Sequence, residues 1–167
     1  ITPTAIQSET IPLLLKTKTD LVGQANTGTG KTAAYGLPLL QNIDPKNKVV
    51  QGIILCPTRE LGQQVAKQLF KYTKYTHKIF VEAVYGGEKI DIQIRNLSRP
   101  THIIVATPGR LIDLVNRQVV DLRNVKTVIL DEADEMLSMG FKKELDQILK
   151  FTPFSEQTWL FSATIPH

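Results

Sequence analysis

The sequence predicts an α/β protein, an open, mostly parallel sheet with helices on both faces, formed as one domain over residues 1–167. Short β-branched apolar runs recur along the chain and alternate with longer mixed segments. Several runs, among them Ile53-Ile54-Leu55 and Val128-Ile129-Leu130, are apolar at consecutive positions, as strands covered on both faces must be. The mixed segments carry helical spacing: Leu61, Val65, Leu69 and Tyr72 share one stripe, as do Phe141, Leu145, Ile148 and Leu149.

In chain order the strands are expected at Asp20 to Gln24, Gly52 to Cys56, Ile79 to Val84, Ile103 to Ala106, Thr127 to Leu130 and Thr158 to Phe161. Asp44-Pro45-Lys46-Asn47 and the segment from Phe151 to Ser155 read as loops. Strand and helix alternate throughout, with neither repeat nor low-complexity stretch. In such a sheet ligands bind beyond the carboxyl ends of the strands, so function is expected there.

Composition excludes several classes. Lys and Arg total 20 against 16 Asp and Glu, a net charge of +4, which permits a polyanionic partner without demanding one. No apolar stretch is long enough to span a bilayer, and the expected location is the cytoplasm. The single cysteine, Cys56, has no partner for a disulfide or a thiolate metal site and reads as buried strand. The chain opens on Ile1-Thr2-Pro3-Thr4 without an initiator Met, which reads as a piece of a longer protein.

The strongest chemical signal follows the first strand. Ala25-Asn26-Thr27-Gly28-Thr29-Gly30-Lys31-Thr32 leads from strand to helix as a phosphate-binding loop, departing from the general pattern only in having Ala25 where a glycine is usual. Gly28 and Gly30 let backbone amides approach phosphate oxygens, and the helix N-terminus adds partial positive charge. Lys31 reaches the β and γ phosphates, and Thr32 offers its hydroxyl to Mg²⁺. Such a loop needs an acid at the end of a neighbouring strand, and Val128-Ile129-Leu130 delivers Asp131-Glu132-Ala133-Asp134 there. Asp131 would hold Mg²⁺, directly or through water, while Glu132 is placed to polarise an attacking water. Carboxylates opening a helix are also ordinary capping, but the pairing with Lys31 favours catalysis.

Taken together, these two motifs resemble the DEAD-box family of ATP-dependent RNA helicases. The resemblance implies a RecA-like fold, with ATP and Mg²⁺ as cofactors. Pro3-Thr4-Ala5-Ile6-Gln7 is similar to the family's adenine-recognising segment, which makes Gln7 the base reader; an amide suits this because it both donates and accepts. Pro57-Thr58-Arg59, then Gly86-Gly87, then Thr107-Pro108-Gly109-Arg110 match the segments that grip RNA without reading its sequence, each after an expected strand. Ser162-Ala163-Thr164 matches the segment that couples the nucleotide site to RNA, and Ser162 or Thr164 is expected to bond Asp134.

The family works with two such lobes, so the resemblance implies a second RecA-like lobe outside this chain. An arginine from that lobe completes charge neutralisation, and the monomeric fragment alone is expected to hydrolyse ATP very slowly. A nucleotide-gated RNA clamp, or another P-loop enzyme such as a kinase or a DNA translocase, remains open on the motifs alone. His77, His102 and His167 show no ligand spacing and are expected at the surface or in loops. Trp159 is expected in the core, and Tyr72 and Tyr75 among Lys71, Lys74 and Lys78 at a solvated helix end.

Overall fold

In the computed structural model, which describes residues 2–164 apart from Thr17, Thr27, Thr29 and His77, the apolar runs pair side by side. In chain order the elements are α1 (Ala5–Lys16), β1 (Leu21–Gln24), α2 (Lys31–Gln41), β2 (Gly52–Leu55), α3 (Arg59–Thr73), β3 (Val81–Val84) and α4 (Ile90–Leu97). They continue with β4 (Ile103–Ala106), α5 (Pro108–Asn116), β5 (Thr127–Leu130), α6 (Ala133–Ser138), α7 (Lys142–Phe151) and β6 (Gln157–Ser162). The strands form one sheet in the order β1-β6-β5-β2-β4-β3, and every ladder is parallel. The last strand made therefore sits between the first and the fifth.

Alternation along each strand divides the core in two. Ile54 and Cys56 face the layer of α2 and α3, where Tyr35, Leu39, Val65 and Leu69 pack with Ile129, Trp159 and Phe161. Ile53 and Leu55 face the opposite layer, against Leu111 and Leu114 of α5, Met136 of α6 and Leu145 and Ile148 of α7. With both faces covered, β2, β4 and β5 are buried at every position, which is why they read as unbroken apolar runs. Trp159 is fully buried and donates its indole N–H to the Thr19 carbonyl at 3.2 Å.

The structure departs from the sequence reading in places where a side chain takes over from the ladder. β1 begins at Leu21 rather than Asp20, because the Asp20 carboxylate accepts the Thr158 N–H at 2.7 Å. β3 begins at Val81, since the Phe80 N–H is given to the His102 ring Nδ1 at 3.0 Å. Leu149 leaves its expected stripe and is 40% exposed, whereas Ile148 beside it is fully buried and Phe151 packs on the core, so Leu149 takes the outer side of α7.

His102 lies in the bend just before β4, a loop position as expected, but it is fully buried rather than at the surface. Its Nδ1 accepts from Phe80, so Nε2 carries the proton and points at the Pro45 carbonyl, 3.2 Å away. The ring also stacks on Phe80 with centroids 5.7 Å apart. The neutral imidazole thus ties the start of β3 to the Asp44–Asn47 turn. His77 and His167 lie outside the described residues.

Burial lowers the His102 pKa from its usual 6.5; the Pro45 carbonyl and Asp44 oppose the shift and Lys48 adds to it. A lowered folded pKa means the unfolded chain takes up the proton first, so this stability is full above the usual value and is lost as pH falls from there toward the folded value. The urea midpoint is expected to drop between about pH 7.5 and 5.5, and His102→Asn is expected to flatten that slope. An identical slope in the variant would remove His102 as its source.

Candidate functional site

The strand order sets the site. β6 separates β1, which leads into the glycine-rich loop of residues 25–32, from β5, which ends at the acidic cluster, so residues 162–164 emerge between them. The Ala25 N–H donates to the Ser162 carbonyl at 2.9 Å, so the loop starts against β6. Gly28 and Gly30 take φ of 84° and 80°, a left-handed conformation costly to any other residue type. Gly30 is also the N-cap of α2 and, having no side chain, offers the first-turn amides of this helix no cap of its own. A Cβ on Gly30 would collide with the Gln7 amide. That amide donates through Nε2 to the Gly30 carbonyl at 3.0 Å and accepts through Oε1 from the Thr4 N–H at 3.1 Å. Thr27 and Thr29 lie outside the described residues.

A cleft of about 460 Å³ opens between Gln7, Gly28, Gly30, Lys31 and Thr32 on one side and Gln64, Gln68 and Lys71 of α3 on the other. That volume is in the range of small-molecule sites. Lys31 lies at its floor, 5% exposed, with Nζ 2.9 Å from Asp131 Oδ1 and 3.5 Å from Glu132 Oε1. Glu132 reaches this point through a left-handed backbone, φ 52° and ψ 52°, strained for a residue with a Cβ. Strain of this kind persists only where the surroundings enforce it.

Asp131 is fully buried, and its two oxygens differ. Oδ2 accepts the Tyr35 hydroxyl at 2.8 Å, whereas Oδ1 meets Lys31 as an ion pair without hydrogen-bond geometry. Burial, Asp131 and Cys56 hold the Tyr35 phenol well above its usual pKa, the Thr32 hydroxyl acting in the opposite sense, so the phenol is the donor. Among the described residues no group of three or more His, Cys, Asp or Glu could hold a metal. One buried carboxylate oxygen beside a threonine and a phosphate loop nevertheless suits Mg²⁺, which keeps waters and binds through one or two carboxylates plus phosphates.

The segment 162–164 closes onto Asp134. The Thr164 N–H and hydroxyl both donate to Asp134 Oδ2, at 3.1 and 3.0 Å, and the Asp134 N–H donates to Ser162 Oγ at 3.3 Å. Burial pushes the Asp134 carboxyl up, but hydrogen bonds from the Thr164 and Ser162 hydroxyls and from the Thr164 and Glu135 backbone together outweigh it and hold the pKa below the usual value. Ala163 is exposed.

The remaining motifs form a second row. β2, β4 and β3 are neighbours, so Pro57-Thr58-Arg59, Thr107-Pro108-Gly109-Arg110 and Gly86-Gly87 leave the sheet side by side. Thr58 caps α3 by accepting the Leu61 N–H at 3.2 Å, and Thr107, N-cap of α5, accepts the Gly86 N–H at 3.3 Å. Arg59 donates to the Gly87 carbonyl at 3.2 Å and lies over the Tyr85 ring, 5.4 Å from its centroid. Arg110 gives Nη1 to the Glu88 carbonyl at 3.0 Å and to Gln93 Oε1 at 2.8 Å. Gly86 and Gly109 are exposed, with open space where a Cβ would stand, so backbone is presented to whatever docks there.

The sequence reading missed two residues, Tyr35 and Gln93. Gln93 is 2% exposed, and its Nε2 donates to the Tyr85 carbonyl at 3.0 Å and to Glu88 Oε2 at 3.2 Å while its Oε1 holds Arg110. One amide thus sets the shape of the Gly86-Gly87 turn and the aim of Arg110. A signal existed: Gln93 falls on the Ile90, Ile94, Leu97 stripe of α4, where only an apolar residue or a bonded amide is tolerated.

Comparison with known proteins agrees with this geometry. A family model described as DEAD/DEAH box helicase matches residues 4–167. The chain is 53% identical over 163 residues to the DEAD-box ATP-dependent RNA helicase CshA of Bacillus cereus, covering 98% of this chain and 31% of that protein. The same name from Geobacillus kaustophilus matches at 50% identity, covering 98% and 34%. Among solved structures, a DEAD box protein from Methanococcus jannaschii superposes with a TM-score of 0.91 at 44% identity, over 98% of this chain and 44% of that one. The yeast DEAD-box splicing factor Prp28 gives 0.91 at 35% identity, over 99% and 41%. The chain thus spans about a third of the length of the curated relatives it matches.

Gln93→Leu is expected to lower stability by about 2 kcal/mol or more, since it leaves the Tyr85 carbonyl and the Arg110 guanidinium short of partners. Gln93→Glu keeps an acceptor for Arg110 but sets its other oxygen against the Tyr85 carbonyl and the Glu88 carboxylate, so it is also expected to lose stability. Urea denaturation of the three chains checks this, and equal stability of Gln93→Leu would show the amide to be dispensable.

Proposed function

Because the chain belongs to the DEAD/DEAH box helicase family, we propose that it is the nucleotide-binding lobe of an ATP-dependent RNA helicase, binding ATP with Mg²⁺ at one row of strand ends and single-stranded RNA at the adjoining row. The observation that carries this is the meeting of Lys31 with Asp131 and Glu132 at a helix N-terminus whose N-cap is a glycine. A cation, two acids and a helix N-terminus in one cleft have a common use in phosphoryl transfer.

Phosphate oxygens entering the cleft compete with Asp131 for the Lys31 ammonium. As Lys31 turns toward them, Glu132 loses that neighbour and its carboxylate can orient a water and accept its proton. Asp131 and Thr32 would hold Mg²⁺, which supplies neutralisation of phosphate charge. Gln7 has one amide N–H and one carbonyl lone pair beyond those spent on Gly30 and Thr4. A donor beside an acceptor matches the N7 and N6 edge of adenine; guanine presents two acceptors there and repels the amide oxygen.

On the second row, the N-termini of α3 and α5 and the side chains of Arg59 and Arg110 favour a sugar-phosphate backbone and carry no base readout. The contact from Thr164 to Asp134 links β6 to the acidic cluster, so closure at the nucleotide can be felt along the strand ends. Full-rate hydrolysis and strand separation need the second lobe and its arginine, and the cytoplasm remains the proposed location.

Calorimetric titration with Mg-ADP and Mg-GDP tests the reading. ADP is expected to bind about tenfold or more tightly than GDP. Equal affinities would remove Gln7 as base reader, and no binding of either would overturn the nucleotide assignment. Lys31→Ala is expected to weaken ADP by about a hundredfold. Arg110→Ala is expected to weaken RNA binding alike for all sequences and to lower the salt slope by about one. An unchanged slope would make Arg110 purely structural.

A further inference from the structure

Lys31 and Tyr35 are four residues apart on α2, so they lie one above the other on a single helix face. That face is turned to Asp131, and the two side chains take opposite oxygens of its carboxylate: Lys31 Nζ lies 2.9 Å from Oδ1, and the Tyr35 hydroxyl donates to Oδ2 at 2.8 Å. The ring needs no hydroxyl to pack, since its apolar contact is Phe161, centroids 5.2 Å apart and planes tilted 48°. A phenylalanine would fill the same space without burying a polar atom. The hydroxyl is therefore to be explained by Asp131.

The terminal torsion of an aspartate is broad, so its own rotamer preferences do not fix the carboxylate plane. In the structure Lys31 and Tyr35 fix it together, but the Lys31 contact is the one phosphate takes away. We propose that Tyr35 is a positioning residue for the cation: its hydroxyl holds Asp131 Oδ2 while Lys31 moves, and so keeps Oδ1 aimed at the place where a divalent ion bound to the nucleotide must sit. This rests on the nucleotide reading above. It assigns Tyr35 no contact with nucleotide or metal; it acts through Asp131, as outer partners of metal-holding carboxylates do.

The test is the ratio of ADP affinity in magnesium to ADP affinity in EDTA, measured by calorimetry on this chain and on Tyr35→Phe. The variant is expected to lose about tenfold of the magnesium enhancement, a typical effect of removing such a partner, with its EDTA affinity unchanged. Phe161→Leu is the control for packing: it should lower the urea midpoint and leave the enhancement intact. Manganese titrated into the ADP-loaded chain and followed by electron paramagnetic resonance should show the same loss in Tyr35→Phe alone. An unchanged enhancement in Tyr35→Phe would overturn the inference while leaving the nucleotide reading in place. Equal losses in magnesium and EDTA would also overturn it, since the hydroxyl would then serve the pocket in general. No enhancement in the unsubstituted chain would overturn both.

Discussion

The buried pair of Lys31 with Asp131 is the constraint on which the rest of the molecule depends. It joins a helix that follows the first strand to the end of the fifth, across an intervening strand, and neither member has water to fall back on. Removing one partner of such a pair typically costs about 3–5 kcal/mol, because the other charge is left buried and alone. The pair is therefore a poor ornament but a good trigger. A phosphate that draws the ammonium away must replace what it disrupts, and the hydrogen bond from Tyr35 together with the proposed cation is what remains to compensate Asp131.

The same logic, with neutral groups, organises the other half of the strand ends. Gln93 does for Arg110 and the Gly86-Gly87 turn what the Tyr35 hydroxyl does for Asp131: a buried polar group holds, by hydrogen bonds, a neighbouring group proposed to meet a ligand. The halves share a border. β5 and β2 are paired, and the Asp131 N–H donates to the Leu55 carbonyl at 2.9 Å, two residues before Pro57 begins the row proposed to face RNA. A shift of the acidic cluster thus bears directly on the strand that presents Thr58 and Arg59.

Much of this was legible in the chain itself, for identifiable reasons. Strands covered on both faces write themselves as apolar runs, and a phosphate loop is local, its glycines, lysine and threonine falling within eight consecutive residues from Ala25 to Thr32. Partnerships between distant residues were not legible. Tyr35 bonds a residue 96 positions away and Gln93 one 17 away, and nothing adjacent to either names its partner. The burial of His102 was not legible, because a histidine between Thr101 and Ile103 carries no mark of the stacked Phe80 and the Pro45 carbonyl that satisfy it. The amide on the apolar stripe of α4 was the readable clue that went unread. The geometry from Thr164 to Asp134 matches the bonding expected from the motif order.

The placement of β6 bears on how the molecule is made. Among the described residues β1 pairs with no strand but β6, and β5 is bridged to β1 only through it. During synthesis the phosphate loop thus emerges early on a strand that cannot join the sheet, and it waits through more than a hundred further residues for its neighbour. A nascent chain stopped before Gln157 would have β2 to β5 able to pair with one another while the loop and α2 lacked their anchor in the sheet. Under the proposed function, the nucleotide competence of this lobe arrives only after β6 has been made, and ATP can stabilise only a lobe whose sheet is already closed.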